Sequence, residues 1–135
     1  DEPGDSTLLQ ALRIADKVDR FGPLGIMAIS AHQGPNLISY DPHNPFGYDS
    51  TAEDKLKSVY TNFMRVLEWY GMLPSAHARA LIRSERMEFF LHYLRELGAE
   101  ISEFTGQENR VEDDIRKALG KYYELFPAKT MLVSV

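Results

Sequence analysis

Apolar side chains recur at Leu8, Leu12, Ala15, Val18 and Phe21, three to four positions apart, the spacing that lines one face of a helix. Thr7 and Gln10 fit a capping box at its start, with Ser6 as the competing cap, and Gly22-Pro23 supplies the stop. A cleaner face runs through Ala52, Leu56, Val59, Phe63, Val66, Leu67 and Tyr70, opened by Ser50 with Glu53 three residues on and closed at Gly71. Pro74-Ser75 opens a further helical region from Ala76 to Leu97, closed by Gly98. The polar run Arg83-Ser84-Glu85-Arg86 divides it, with Ser84 as a new cap. A last helix is predicted over 110–125, capped by Asn109 with Glu112 three residues on, and stopped by Pro127. Its core face carries Val111, Ile115, Leu119, Tyr122 and Phe126.

The stretch from Leu24 to Tyr40 has no such regular period. A helix from Pro23 to His32, stopped by Gly34, competes with two short strands at 25–30 and 36–40; the helical character of the rest of the chain favours the helix. Residues 41–50 hold two prolines and a glycine and cannot be regular structure. The resulting long loop, 34–50, is expected to be ordered, pinned by Tyr40, Phe46 and Tyr48. Residues 130–135 read as a strand or an apolar strap. The expected fold is therefore mainly α, a compact bundle of four to six helices, with a small β element (25–30, 36–40, 130–135) as the alternative for those segments. Residues 1–5 read as a polar linker and 6–135 as a single helical domain.

Composition narrows the function classes. The chain has 135 residues, enough to bury a core without cross-links, and it contains no cysteine for a disulfide or a thiolate zinc site. No apolar run reaches the ~18 residues of a membrane span, and the polar start lacks the features of a signal peptide; both point to a cytoplasmic location. The net charge is -5 and unevenly spread: seven acids against three bases in residues 1–50, seven of each in 51–100, and six against five in 101–135. That balance disfavours a generally basic nucleic-acid surface and leaves only a local patch in the middle third. A polar opening and an apolar close suggest the C-terminal module of a larger protein.

Three clusters could carry chemistry. Glu85, Glu88, His92 and Glu96 share one helix face, as a bundle metal site requires, but no His stands three residues after Glu88; a solvated face is the plainer reading, and no metal or cofactor is expected. Arg79, Arg83 and Arg86 also share a face, with His77 before them and Arg95 beyond. They could grip phosphates or carboxylates, including those of nucleic acid, or pair with the chain's own Glu112-Asp113-Asp114. The loop residues His32, Asp41, His43, Asn44 and Asp49 offer acid-base groups without a nucleophile motif.

Two short patterns have structural alternatives. Asn44-Pro45-Phe46 matches the tripeptide that EH domains recognise, although Phe46 can equally anchor its own loop. Val133-Ser134-Val135 resembles the free-carboxyl ligands of PDZ domains, and packing of that tail on the domain is the competing reading. Adjacent aromatics carry more information. Phe89-Phe90 and Tyr122-Tyr123 cannot both face one core from a helix, and Trp69 falls beside a core face, so some aromatic surface must lie at a boundary or contact.

The expected function is a non-enzymatic protein-binding or self-assembling helical module, nucleocapsid-type or scaffolding in role. Its partner surface would be formed by Arg79, Arg83, Arg86, Trp69, Phe89, Tyr93 and Tyr123, with His43, Phe46 and Tyr48 as the distinctive loop residues. The alternative is a small ligand-binding or acid-base enzyme domain built on the loop at 32–49.

Overall fold

The structure is a computed structural model that describes residues 6–22, 25, 26, 46 and 59–128. Among them the chain is helical and no strand occurs: α1 (Thr7–Val18), α2 (Val59–Met72), α3 (Ala76–Ala80), α4 (Ser84–Thr105) and α5 (Val111–Leu119), followed by a 3-10 helix, Gly120–Leu125. The mainly α expectation holds. The proposed strands at 36–40 and 130–135 lie outside the described residues, and of the segment 25–30 only Gly25 and Ile26 are described, both helical.

The core forms where the stripes of α2, α4 and α5 face one another. From α2 come Tyr60, Phe63, Met64, Val66, Leu67 and Tyr70; from α4, Met87, Phe90, Leu91 and Leu94; from α5, Val111, Ile115 and Leu119. Phe90 meets Phe63 edge-on with ring centres 6.0 Å apart and Phe21 at 6.0 Å, so the chain just after α1 reaches the core through one aromatic ring.

Local signals explain most boundaries. Ser6 caps α1, its Oγ accepting from the Leu9 N–H at 3.1 Å, so the competing cap prevails over Thr7. Ser75 caps α3 in the same way, accepting from Ala78 N–H at 3.1 Å. The predicted break before α4 is real, but Arg83 rather than Ser84 stands at the cap: its backbone is extended and its carbonyl accepts from Met87 N–H at 3.2 Å.

Three expectations need correction. Gly98 does not end its helix; α4 continues to Thr105 and stops at Gly106, whose φ of +73° suits the left-handed cap that glycine adopts without steric cost. Gly98 instead serves contact. A Cβ there would stand 2.4 Å from Val111 Cγ2, so its missing side chain lets the start of α5 lie against α4. The last helix is also shorter than 110–125: α5 ends at Leu119, and Gly120 (φ +56°) turns the chain into the 3-10 segment. Finally, the first part of the expected face of α1 is not buried. Leu8 is 71% exposed and Leu12 58%, Ala15 is exposed, and only Ile14, Val18 and the following Phe21 pack on the core.

Candidate functional site: a groove on α4

The arginine stripe divides into residues with different tasks. Arg86 reaches across to the end of α1, where Nε and Nη2 donate to the Phe21 carbonyl at 3.1 and 2.6 Å, and Nη2 donates to the Val18 carbonyl at 3.1 Å. Carbonyls at a helix C-terminus lack intrahelical donors and carry partial negative charge, so a guanidinium there acts as a clasp. Arg79 donates to the Leu73 carbonyl at 3.2 Å and lies over the Tyr122 ring, 4.7 Å from its centre. Arg83 alone of the three projects into solvent, beside an equally exposed Glu85 at 3.6 Å. The structure thus does not bring the three together as one open cationic patch.

Arg95 takes the role foreseen for the arginines near Glu112. Its Nε and Nη2 donate to the two Glu112 oxygens at 2.8 and 2.9 Å, a bidentate pair, and Nη2 also reaches the Phe126 carbonyl at 3.4 Å. Tyr123 donates to the same carboxylate at 2.6 Å, with the Arg116 guanidinium over its ring at 4.9 Å. The hydrogen bond from Arg95 holds the Glu112 carboxyl below its ordinary range, opposed by burial and aided by Tyr123. The bond to Glu112 likewise pushes the Tyr123 phenol up, with burial adding to it. On α2, burial raises the Tyr70 phenol against the pull of Arg79. Tyr70 is gripped edge-on by Tyr122 at 5.3 Å and Phe126 at 5.4 Å. These contacts fix the 3-10 segment and the residues after it against the bundle.

A groove of about 360 Å³ opens between that fixed segment and α4. Phe89, Leu91 and His92 line it from the helix; Leu125, Phe126 and Pro127 line it from the other side. Leu91 is buried at its base, whereas Phe89 is 45% exposed and Leu125 63%. Glu85 and Glu88 stand toward the start of α4 and Arg95 toward its middle.

The other expected contact residues are distributed around the bundle. Tyr93 is half-buried, edge-on to Phe63 with centres 6.0 Å apart, and Trp69 is half-buried against the core. Phe46 is fully buried with its ring 5.0 Å from that of Tyr60 on α2, so its side chain is not presented as a tripeptide ligand would be. His43 and Tyr48 lie outside the described residues, as does the tail motif. Of the acidic set, Glu85, Glu88 and His92 line the groove, and among the described residues no group of three or more His, Asp or Glu is placed to hold a metal ion.

The pattern of the sequence missed the opposite wall of the groove. Leu125 falls in the regular helix predicted over 110–125, whereas the chain passes into a 3-10 turn after Gly120, and Leu125 and Pro127 line the groove with Phe89. The splitting of the Phe89-Phe90 pair, by contrast, follows the helical period: Phe90 is fully buried and Phe89 looks outward. No protein-family model, no curated protein and no solved structure matches this chain. No helix among the described residues is long and apolar enough to cross a membrane.

Proposed function

We propose that this chain is a non-enzymatic protein-docking module whose contact surface centres on the α4 groove. The observation that carries the reading is that two exposed apolar side chains, Phe89 and Leu125, line one concavity together with the buried Leu91. A half-exposed aromatic beside a pocket is the usual form of an interface anchor, because burying it against a partner adds area without disturbing the fold. Arg83 at the margin is available to contribute electrostatic specificity, while Arg79, Arg86 and Arg95 serve the chain's own structure. Leu8 and Leu12 on α1 form a second exposed apolar surface that the same reading accommodates.

A photo-reactive phenylalanine at position 89 tests this directly. In extract of the source cells it should give a discrete protein adduct that is absent with the same group at Glu103. The complex should reform from the two purified proteins and weaken on Leu125→Ala. Equal labelling from positions 89 and 103, or an adduct that does not reform from pure components, would contradict the reading.

A further inference from the structure

We propose that residues 120–127 form a detachable strap, hinged at Gly120 and latched to the Arg95–Glu112 pair, which lifts off the bundle while the core of α2, α4 and α5 stays folded. The strap is a property of the chain itself and does not depend on the docking reading.

The hinge comes first. Gly120 closes α5 with φ +56° and ψ -128°, a backbone conformation that residues with a Cβ rarely adopt. A Cβ there would meet nothing within 4 Å, so the bend itself, and no neighbouring group, is what calls for glycine. Beyond the bend the grip on the bundle is shallow. No side chain of the 3-10 segment is fully buried, Leu125 is 63% exposed, and Phe126 is half-buried. Tyr122 and Phe126 meet Tyr70 edge-on, at 5.3 and 5.4 Å between ring centres. Just before the hinge, by contrast, α5 places Val111, Ile115 and Leu119 in the core. A segment with few buried apolar contacts opens at a lower free energy than the core it lies on.

The latch is polar. The bidentate pair of Arg95 with Glu112 joins α4 to α5 and stays in place when the strap lifts. Two hydrogen bonds hang the strap on it: the Tyr123 hydroxyl donates to Glu112 Oε2 at 2.6 Å, and Arg95 Nη2 donates to the Phe126 carbonyl at 3.4 Å. The first has an ionised acceptor and is the stronger. Three groups favour the charged form of that carboxylate: Arg95 from α4, Tyr123 from the strap and Arg116 from α5 itself; α2 turns its Tyr60 hydroxyl to Asp114 instead. Protonating Glu112 weakens its bond to Tyr123. The closed strap is therefore favoured above the ordinary 4.5 and is lost as pH falls through the lower value of the closed form. Because Leu125, Phe126 and Pro127 line the α4 groove, lifting the strap also dismantles that groove.

A 4-fluorophenylalanine at position 126 of the full chain reads the strap directly, with one fluorine line for the closed form and a second, solvent-like line for the open one. The Ile115 methyl resonances report the core. At neutral pH, Tyr123→Phe should raise the ratio of open to closed by about tenfold or more, with Ile115 unmoved. Gly120→Ala, which strains the closed bend without a clash, should raise it by a similar factor. Acidification below about pH 4.5 should open the strap of the parent chain, and Tyr123→Phe should remove most of that response. His92 lines the groove with Arg95, and His92→Asn should leave the acid response in place. Glu124→Gln should stay within about twofold, as expected of an exposed side chain.

Movement of position 126 and Ile115 together would make strap and core one cooperative unit and overturn the proposal. So would the lack of a second line in a chain carrying both Tyr123→Phe and Gly120→Ala. An acid response that survives Tyr123→Phe, or disappears with His92→Asn, would overturn the latch on Glu112.

Discussion

Helix α5, nine residues long, buries Val111, Ile115 and Leu119, whereas α1, twelve residues long with an equally regular stripe, buries none of its side chains. The difference lies in what each stripe meets. α5 lies between α2 and α4, and Gly98 removes the one side chain that would hold its first turn away. α1 is held at one end, by Phe21 inserted beside Phe90 and by Arg86 on its last carbonyls, while Leu8 and Leu12 face solvent. Amphipathic spacing thus states that a helix has an apolar face; the presence of an opposing surface decides whether that face becomes core or contact.

The largest effect should come from removing α5's grip. Ile115→Ala is expected to cost about 2–5 kcal/mol in urea unfolding, since Ile115 is fully buried between helices. If it costs no more than a surface change, α5 is not part of the core. Arg86→Met should cost about 1.5–3 kcal/mol by leaving charge-assisted acceptors unmatched. Its amide exchange should accelerate selectively in α1, and uniform acceleration would show that the clasp is not specific to that helix. Gly98→Val should cost about 1–3 kcal/mol through overpacking against Val111, and chemical shifts should move at the start of α5 while those of α1 stay in place.

A smaller effect depends on pH. Glu112 titrates below its ordinary 4.5 in the folded chain, so its contribution is complete above that unfolded value and is lost as pH falls through the lower folded one. Stability should therefore drop on acidification below about pH 4.5, and Glu112→Gln should flatten part of that drop. The Arg86 clasp, which rests on carbonyls, should persist through the same titration. The smallest effect is expected on α1: Leu12→Ala should change stability by no more than about 0.5 kcal/mol, in contrast to Ile115→Ala.

Helix existence was legible because capping and period agreed: Ser6, Ser75 and the Val111-Ile115-Leu119 face behave as their spacing requires. Glycine was harder to interpret. Gly98 and Gly106 offer the same residue type near the end of one helix, and only the approach of Val111 distinguishes packing from capping. Arginines posed the same difficulty, since helical spacing placed Arg79, Arg83 and Arg86 on one face without revealing that carbonyls at 73, 18 and 21 would claim two of them. The groove depended on a long-range juxtaposition of Phe89 with Leu125, created by a change of helix type that local pattern does not register. That one of Phe89 and Phe90 must leave the core follows from their adjacency on a helix, but which of the two does so is settled only by packing, with Phe90 buried and Phe89 exposed.

The core of α2, α4 and α5 is expected to carry stability, and the groove contact. The most direct measurement pairs urea unfolding with photo-crosslinking at position 89 in a Leu125→Ala chain, alongside unfolding of the Phe89→Ala/Leu125→Ala chain. Stability within about 1 kcal/mol of the parent in both, with the adduct sharply reduced, is the expected result. A loss of several kcal/mol typical of core truncation, or an undiminished adduct in a stable protein, would contradict it.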